Sequence, residues 1–326
     1  MKRRTEFLHR TLCCLILGLA LAACGAAPAV SSTPAAPEDR GDLLKLFDYD
    51  AKAPLDIQVA STEKKEGYTL QELTYASPKG GRVPALLLIP DGQGPFPAVL
   101  VMHGAPGSLR AVQSEAEALV KLGAVAVAIS APFARGERLE NPRDILRFDE
   151  RDRADQIQLI IDLRRAVDLL LSRPDVASDR IAYVGRSYGG AQGGLLAGVE
   201  KRIKAYALVV GDGGLVSHFT GADDTKGPLQ TLPPEQVKSW REVMDPVEPI
   251  RWVGRAAPAH LLFQNGRRDE LVPEADGRAY QEAGSEPKTI LWYDEGHKLG
   301  DKAAHDRYTW LAEQIGIRKP AAPPAP

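Results

Sequence analysis

Apolar runs of strand length recur along this chain with helix-length segments between them, and that alternation limits the possible folds more than any other feature. The runs are FPAVLVMHG at 96–104, AVAVAIS at 124–130, RIAYVG at 180–185, AYALVVG at 205–211, AHLLFQNG at 259–266 and KTILWYDEG at 288–296. They lack strict polar alternation, as strands do when helices cover both faces of their sheet. Helices are predicted at 111–122, 151–172, 188–199, 275–283 and 302–315. The clearest is 151–172, where Ile157, Ile160, Ile161, Val167, Leu170 and Leu171 share a broad face until Pro174 stops the helix. Strands alternating with helices imply an α/β class with a mostly parallel central sheet and helices on both faces. Two earlier strands, at 67–77 and 81–89, have no helix between them, so the leading edge is expected to be antiparallel. The segment 212–257 is polar, contains prolines and is poor in strand signal. It reads as a small cap-like excursion over the carboxyl edge of the sheet, with short helices at 216–222 and 234–244.

The two ends do not belong to this pattern. Lys2, Arg3, Arg4 and Arg10 precede an apolar run from Leu12 to Ala23, too short for an ordinary membrane span. The run closes on Leu21-Ala22-Ala23-Cys24-Gly25, which resembles a bacterial lipoprotein signal. That resemblance implies cleavage before Cys24, lipidation of Cys24, export, and a lipid anchor in the cell envelope, on the outer membrane or the periplasmic face. The Arg3-Arg4 pair is a weaker match to a twin-arginine signal, its spacing being off by one residue. Residues 24–42 read as a flexible tether, 43–318 as a single domain and 319–326 as a tail, because small residues and prolines bury too little area to order themselves. Cys13, Cys14 and Cys24 are the only cysteines, so a chain cut before Cys24 would hold no disulfide framework, cysteine nucleophile or thiolate metal site. A formal net charge of -2 gives no reason to expect a nucleic-acid partner. Oligomeric state is left open.

The chemistry-bearing stretch is Gly185-Arg186-Ser187-Tyr188-Gly189. Serine attacks a carbonyl only with a base in reach, an orienter for that base and donors for the oxyanion. Glycines on either side let a strand turn sharply into a helix and expose the Ser187 hydroxyl. Here the pattern follows a predicted strand and precedes a helix-compatible run. His297, directly after the last strand and last in chain order, is the candidate base. His9, His103, His218 and His260 fit less well, and His305 is the first substitute. Tyr188 can give one backbone N–H to an oxyanion. Pro106 has no N–H, so the second is assigned to Ala105, with Gly104 behind it. His103 is read as a brace for that turn.

Taken together, HGAPG, DRIAYVGRSYGG, NGRRDELVP and DEGH, in that order, resemble the α/β-hydrolase superfamily over roughly residues 66–316. Within it the chain looks most like the dienelactone-hydrolase, acetyl-xylan-esterase and prolyl-oligopeptidase-like branches. The resemblance implies Asp269 as the acid that orients His297. It also marks Arg135, in APFARGER, and Arg186 as candidate substrate-binding residues. Arg135 either contacts a substrate carboxylate or braces its loop, and Arg186 is expected to pair with a carboxylate beneath the turn. Ser130-Ala131 stands where the family's loop carries an acid, which weakens the transfer of any one substrate. The implied activity is carboxylic-ester hydrolysis through an acyl-enzyme, on small-molecule or carbohydrate esters, without a metal or organic cofactor. The alternatives are an oligopeptidase-like serine peptidase and a catalytically silent binding lipoprotein.

Overall fold

The computed structural model describes residues 43–136, 145–220 and 228–321. The expected signal peptide, Cys24, the whole tether and most of the tail lie outside these residues.

Nine strands form one sheet: β1 (Gln58–Lys65), β2 (Tyr68–Ala76), β3 (Arg82–Pro90), β4 (Phe96–Met102), β5 (Val125–Ile129), β6 (Val176–Arg186), β7 (Ala205–Val209), β8 (His260–Gly266) and β9 (Lys288–Tyr293). Their order is β1-β2-β3-β5-β4-β6-β7-β8-β9. The pairs β1/β2, β2/β3 and β3/β5 are antiparallel, and every later pair is parallel. The antiparallel leading edge expected from the missing helix is therefore present, with the parallel sheet beyond it.

Around the sheet lie α1 (Gln113–Lys121), α2 (Glu150–Leu171), α3 (Tyr188–Val199), α4 (Leu215–Thr220), α5 (Pro234–Met244), α6 (Glu274–Ala283) and α7 (Asp301–Ile315). The pleat sends alternate side chains of each strand to opposite faces. Ala98, Leu100 and Met102 of β4 join the core shared with α2, α3 and α6. Val99 and Val101 join the core beneath α1 and α7. This is why the central strands read as continuous apolar runs.

Three details depart from the sequence reading. β1, QVASTEKK, was not among the predicted strands, and all but its last residue are exposed. Pairing with β2 holds it, not burial, so it carries no apolar signature. β6 starts at Val176, ahead of RIAYVG. The excursion is also more firmly packed than its polar composition suggests. Trp240 and Trp252 are buried, and the Trp240 indole N–H donates to the buried Asp152 of α2 at 2.8 Å. Trp252 meets Phe47 edge to face at 5.4 Å.

Candidate active site

Ser187 sits between the end of β6 and the start of α3 with φ 54° and ψ -118°. A positive φ is costly for a residue with a Cβ and survives only where the surroundings enforce it. Here the enforcement is steric. A Cβ on Gly185 would lie 2.1 Å from the Gly189 carbonyl oxygen, and one on Gly189 would lie 2.6 Å from that of Met102. The Ser187 N–H donates to the Val209 carbonyl at 2.8 Å, tying the turn to β7. Both glycines of the pentapeptide are therefore required by close backbone approach.

The turn after β9 delivers His297, and the turn after β8 delivers Asp269. The Ser187 hydroxyl lies 2.9 Å from His297 Nε2, and His297 Nδ1 lies 2.8 Å from Asp269 Oδ2. A carboxylate only accepts, so the proton sits on Nδ1 and leaves Nε2 free to accept from serine. The Asp269 side chain has no exposed surface, whereas that of His297 is 21% exposed. Asp269 Oδ1 also accepts from the N–H groups of Leu271 (2.9 Å) and Val272 (3.0 Å). Burial alone would push this carboxyl up. The His297 hydrogen bond and the two backbone donors outweigh it and hold Asp269 below the ordinary aspartate range.

The turn after β4 passes directly over the serine. A Cβ on Gly104 would stand 3.0 Å from Ser187 Cβ and 3.6 Å from its Oγ. Ala105 follows in that turn, which the bond from Gly107 N–H to the Gly104 carbonyl closes at 2.9 Å. Tyr188 is the first residue of α3, so its N–H has no acceptor within the helix. His103 spans this turn and the next. Its Nε2 accepts from Ala131 N–H at 3.0 Å, so its Nδ1 donates to the Gly104 carbonyl at 2.8 Å. Burial lowers its pKa to about 4, against the Gly104 bond, so the ring is neutral. It acts as a brace and lies outside the Ser187–His297–Asp269 chain.

Arg135 and Arg186 are both engaged by the protein. Arg135 Nη2 pairs with the fully buried Asp162 at 2.7 Å, and its Nε donates to the Ser130 carbonyl at 3.0 Å. Of the two readings open for Arg135, bracing is the one whose contacts are present. Asp162, in turn, accepts from Ser77 Oγ at 2.5 Å. Burial nevertheless holds its carboxyl above the ordinary range, against Arg135 and Ser77. Arg186 differs from expectation. Its Nη2 donates to the His297 carbonyl at 2.7 Å, and no carboxylate among the described residues pairs with it. The nearby Glu115 is instead held by Arg307 through both oxygens, at 3.0 and 2.8 Å.

Other contacts here were not foreseen. The Tyr188 phenol, raised by burial, donates to Gln156 at 2.7 Å and fixes the side chain beside the nucleophile. His218 has its own carboxylate, with Nδ1 2.7 Å from Asp212 Oδ2. The one available hint for Asp162 was a charge set inside the apolar run of α2.

An imidazole facing a serine hydroxyl, with an ionised carboxylate behind it, can activate the serine for attack on a carbonyl. Comparison with known proteins bears on the fold. The fold is that of an α/β hydrolase. Residues 83–239 match the model of the dienelactone hydrolase family. Among solved structures, the acetyl xylan esterase from Paenibacillus sp. R4 superposes with a TM-score of 0.67 at 21% identity, covering 84% of this chain and 93% of that one. Acetyl xylan esterase 1 from Thermoanaerobacterium sp. JW/SL YS485 gives 0.69 at 18% identity, covering 85% and 94%. By sequence, acyl-coenzyme A thioesterase 3 of Mus musculus is 29% identical over 237 residues, 67% of this chain and 51% of the relative. The chain spans about half the length of the first curated relatives it matches.

Proposed function

We propose that this protein is a serine hydrolase that cleaves carboxylic esters through an acyl-enzyme. The observation that carries the reading is the continuous hydrogen-bonded chain Ser187–His297–Asp269, with Ser187 raised on a strained turn. In the proposed cycle Ser187 Oγ attacks the ester carbonyl carbon as His297 Nε2 takes its proton. Asp269 keeps the other ring nitrogen protonated and offsets the positive charge that develops on the imidazole. The oxyanion is held by the backbone N–H groups of Ala105 and Tyr188. His297 then returns the proton to the departing alcohol, and water repeats the sequence on the acyl-serine to release the acid.

We favour acyl groups on oxygen or sulfur as the substrate, a reading supported by the esterase and thioesterase names among the similar proteins. Acetyl esters of carbohydrates are the class we favour, on the names of the two acetyl xylan esterases, 93% and 94% of whose chains are covered. A thioester would follow the same steps with a thiolate leaving group. We further propose that Cys24 is the lipidated N-terminus of an exported, envelope-anchored enzyme. Metabolic labelling with an alkynyl fatty acid should mark the wild-type protein and not Cys24→Ala.

The deciding experiment measures initial rates on p-nitrophenyl acetate, butyrate and octanoate with protein starting at Ser31. Ser187→Ala should lower kcat by about 10⁴ or more. A fluorophosphonate probe should label the wild type and leave the variant unlabelled. Folded wild-type protein that neither turns over these esters nor accepts the probe would end the serine-hydrolase reading in favour of a silent fold.

A further inference from the structure

Between α1 and α7, against the carboxyl ends of β4, β6 and β7, lies a cavity of about 420 Å³. That volume is in the range of small-molecule sites. Ser187, His297 and Asp269 are not among its walls, whereas their chain neighbours Arg186 and Lys298 are, so it opens beside the triad. Val101, Val184 and Val209 make an apolar floor. Three cations also line it, Arg186, Lys298 and Arg307, against one carboxylate, Glu115.

The charges do not cancel. Arg307 takes both oxygens of Glu115 and gives its remaining Nη1 to Gln264 at 2.9 Å. Arg186 gives one N–H to the His297 carbonyl, a neutral acceptor. Among the described residues, no carboxylate lies within ion-pair distance of Arg186 or Lys298. Burial first, and the neighbouring Arg307 second, hold the Arg186 guanidinium below its ordinary value, against the pull of Glu115 and Asp269. A half-buried cation beside another cation, with most of its donors unspent, is a poor arrangement for stability alone. It suits an incoming anion, to which arginine can give two parallel N–H bonds.

We propose that this chamber binds a small organic carboxylate, its head held by Arg186 and Lys298 and its apolar body resting on the valine floor. The floor argues for an organic anion over inorganic phosphate, which would satisfy the cations and leave the apolar wall uncovered. Such a ligand would sit one peptide away from the catalytic-site histidine, because Lys298 follows His297 and Arg186 bonds the His297 carbonyl. The site does not depend on hydrolysis, so its test does not use turnover.

Calorimetric titration of the folded protein with hexanoate, hexan-1-ol and inorganic phosphate tests the proposal. Hexanoate should bind saturably, and about tenfold or more tighter than either control. Lys298→Glu should weaken it by about tenfold or more, through charge reversal at the mouth. Ser114→Trp, at an exposed position of α1 that lines the opening, should block it. Both positions are exposed, and circular dichroism would verify that the variants fold. No saturable hexanoate binding at millimolar concentration would overturn the proposal. So would binding that both variants leave unchanged, which would place the ligand elsewhere, or phosphate binding as tightly as hexanoate, which would show that the floor contributes nothing.

Discussion

At the scale of single residues, the proposed triad requires Asp269 to stay ionised while it holds one proton of His297. Asp269→Asn keeps the shape and removes the charge. The amide can then present its NH₂ to the imidazole and favour the wrong tautomer. We expect kcat for p-nitrophenyl acetate to fall by about 10³–10⁴ with little change in KM. The wild-type carboxyl is held below its ordinary value, so its contribution to stability is present at neutral pH. It should be lost only as the pH falls through that depressed value, and the Asn variant should lack this acid-side loss in a pH series of melting curves. Ser187 and His297 could be singled out in the sequence because each carries local signals: flanking glycines, a preceding strand and chain order. The partner of Arg186 could not. It is the carbonyl of a residue 111 positions away, and every residue type carries a carbonyl. Gln156 under Tyr188 was hidden for the same reason, since a glutamine on a helix looks like solvent-facing polarity until the fold buries it.

At the scale of elements, the buried carboxyl of Glu248 anchors the start of the short helix α4. Glu248 Oε1 accepts from Val216 N–H at 3.0 Å, and Oε2 from Ser217 N–H at 3.4 Å. Burial raises its pKa to about 7, against those two bonds, with Asp212 and Asp245 adding to the rise. The folded state therefore binds a proton more tightly than the unfolded chain does. The stability that this group contributes is complete below its ordinary value of 4.5 and declines as the pH rises toward about 7. Glu248→Gln keeps an acceptor for Val216 and removes the titration. Relative to this variant, the wild type should lose on the order of 3 kcal/mol between pH 4.5 and 7, read from urea melts across that interval. Nothing in the proline-containing stretch around Glu248 marks it as buried, because the burial comes from α4 and the turns folded over it. By contrast, α2 was legible from its apolar face and its stop at Pro174. It also has a local cap, the Asp149 side chain accepting from Arg151 N–H at 2.9 Å.

At the scale of the whole molecule, the segment before β1 closes the far side of the fold. Phe47 is fully buried, and its carbonyl accepts from Arg164 at 2.7 Å. The buried Arg165 donates to the carbonyls of Ala51 and Ala53, and Tyr49 donates to Asp168 at 2.9 Å. A chain shortened to begin at residue 43 should keep the wild-type melting temperature. One beginning at residue 55 would leave a hole at Phe47 and strip two acceptors from Arg165. Its loss should exceed the roughly 3–5 kcal/mol expected for Phe47→Ala alone, measured by denaturant melts of all three proteins. The parallel sheet itself was legible because its strands are buried on both sides. The leading edge was legible only in part, because β1 is held by backbone bonds that leave no mark on composition.

That same outer strand leaves one edge of the sheet open. An unpaired row of backbone donors and acceptors invites a neighbour's strand to zip onto it, the first step towards fibrils in a concentrated film of molecules. β1 discourages this. Its ladder is interrupted between Val59 and Ser61, and its far end carries Glu63, Lys64 and Lys65. A second molecule docking there would have to desolvate those charges across a kinked seam. A border that adds almost nothing to the core can thus discourage strand-to-strand pairing at this edge.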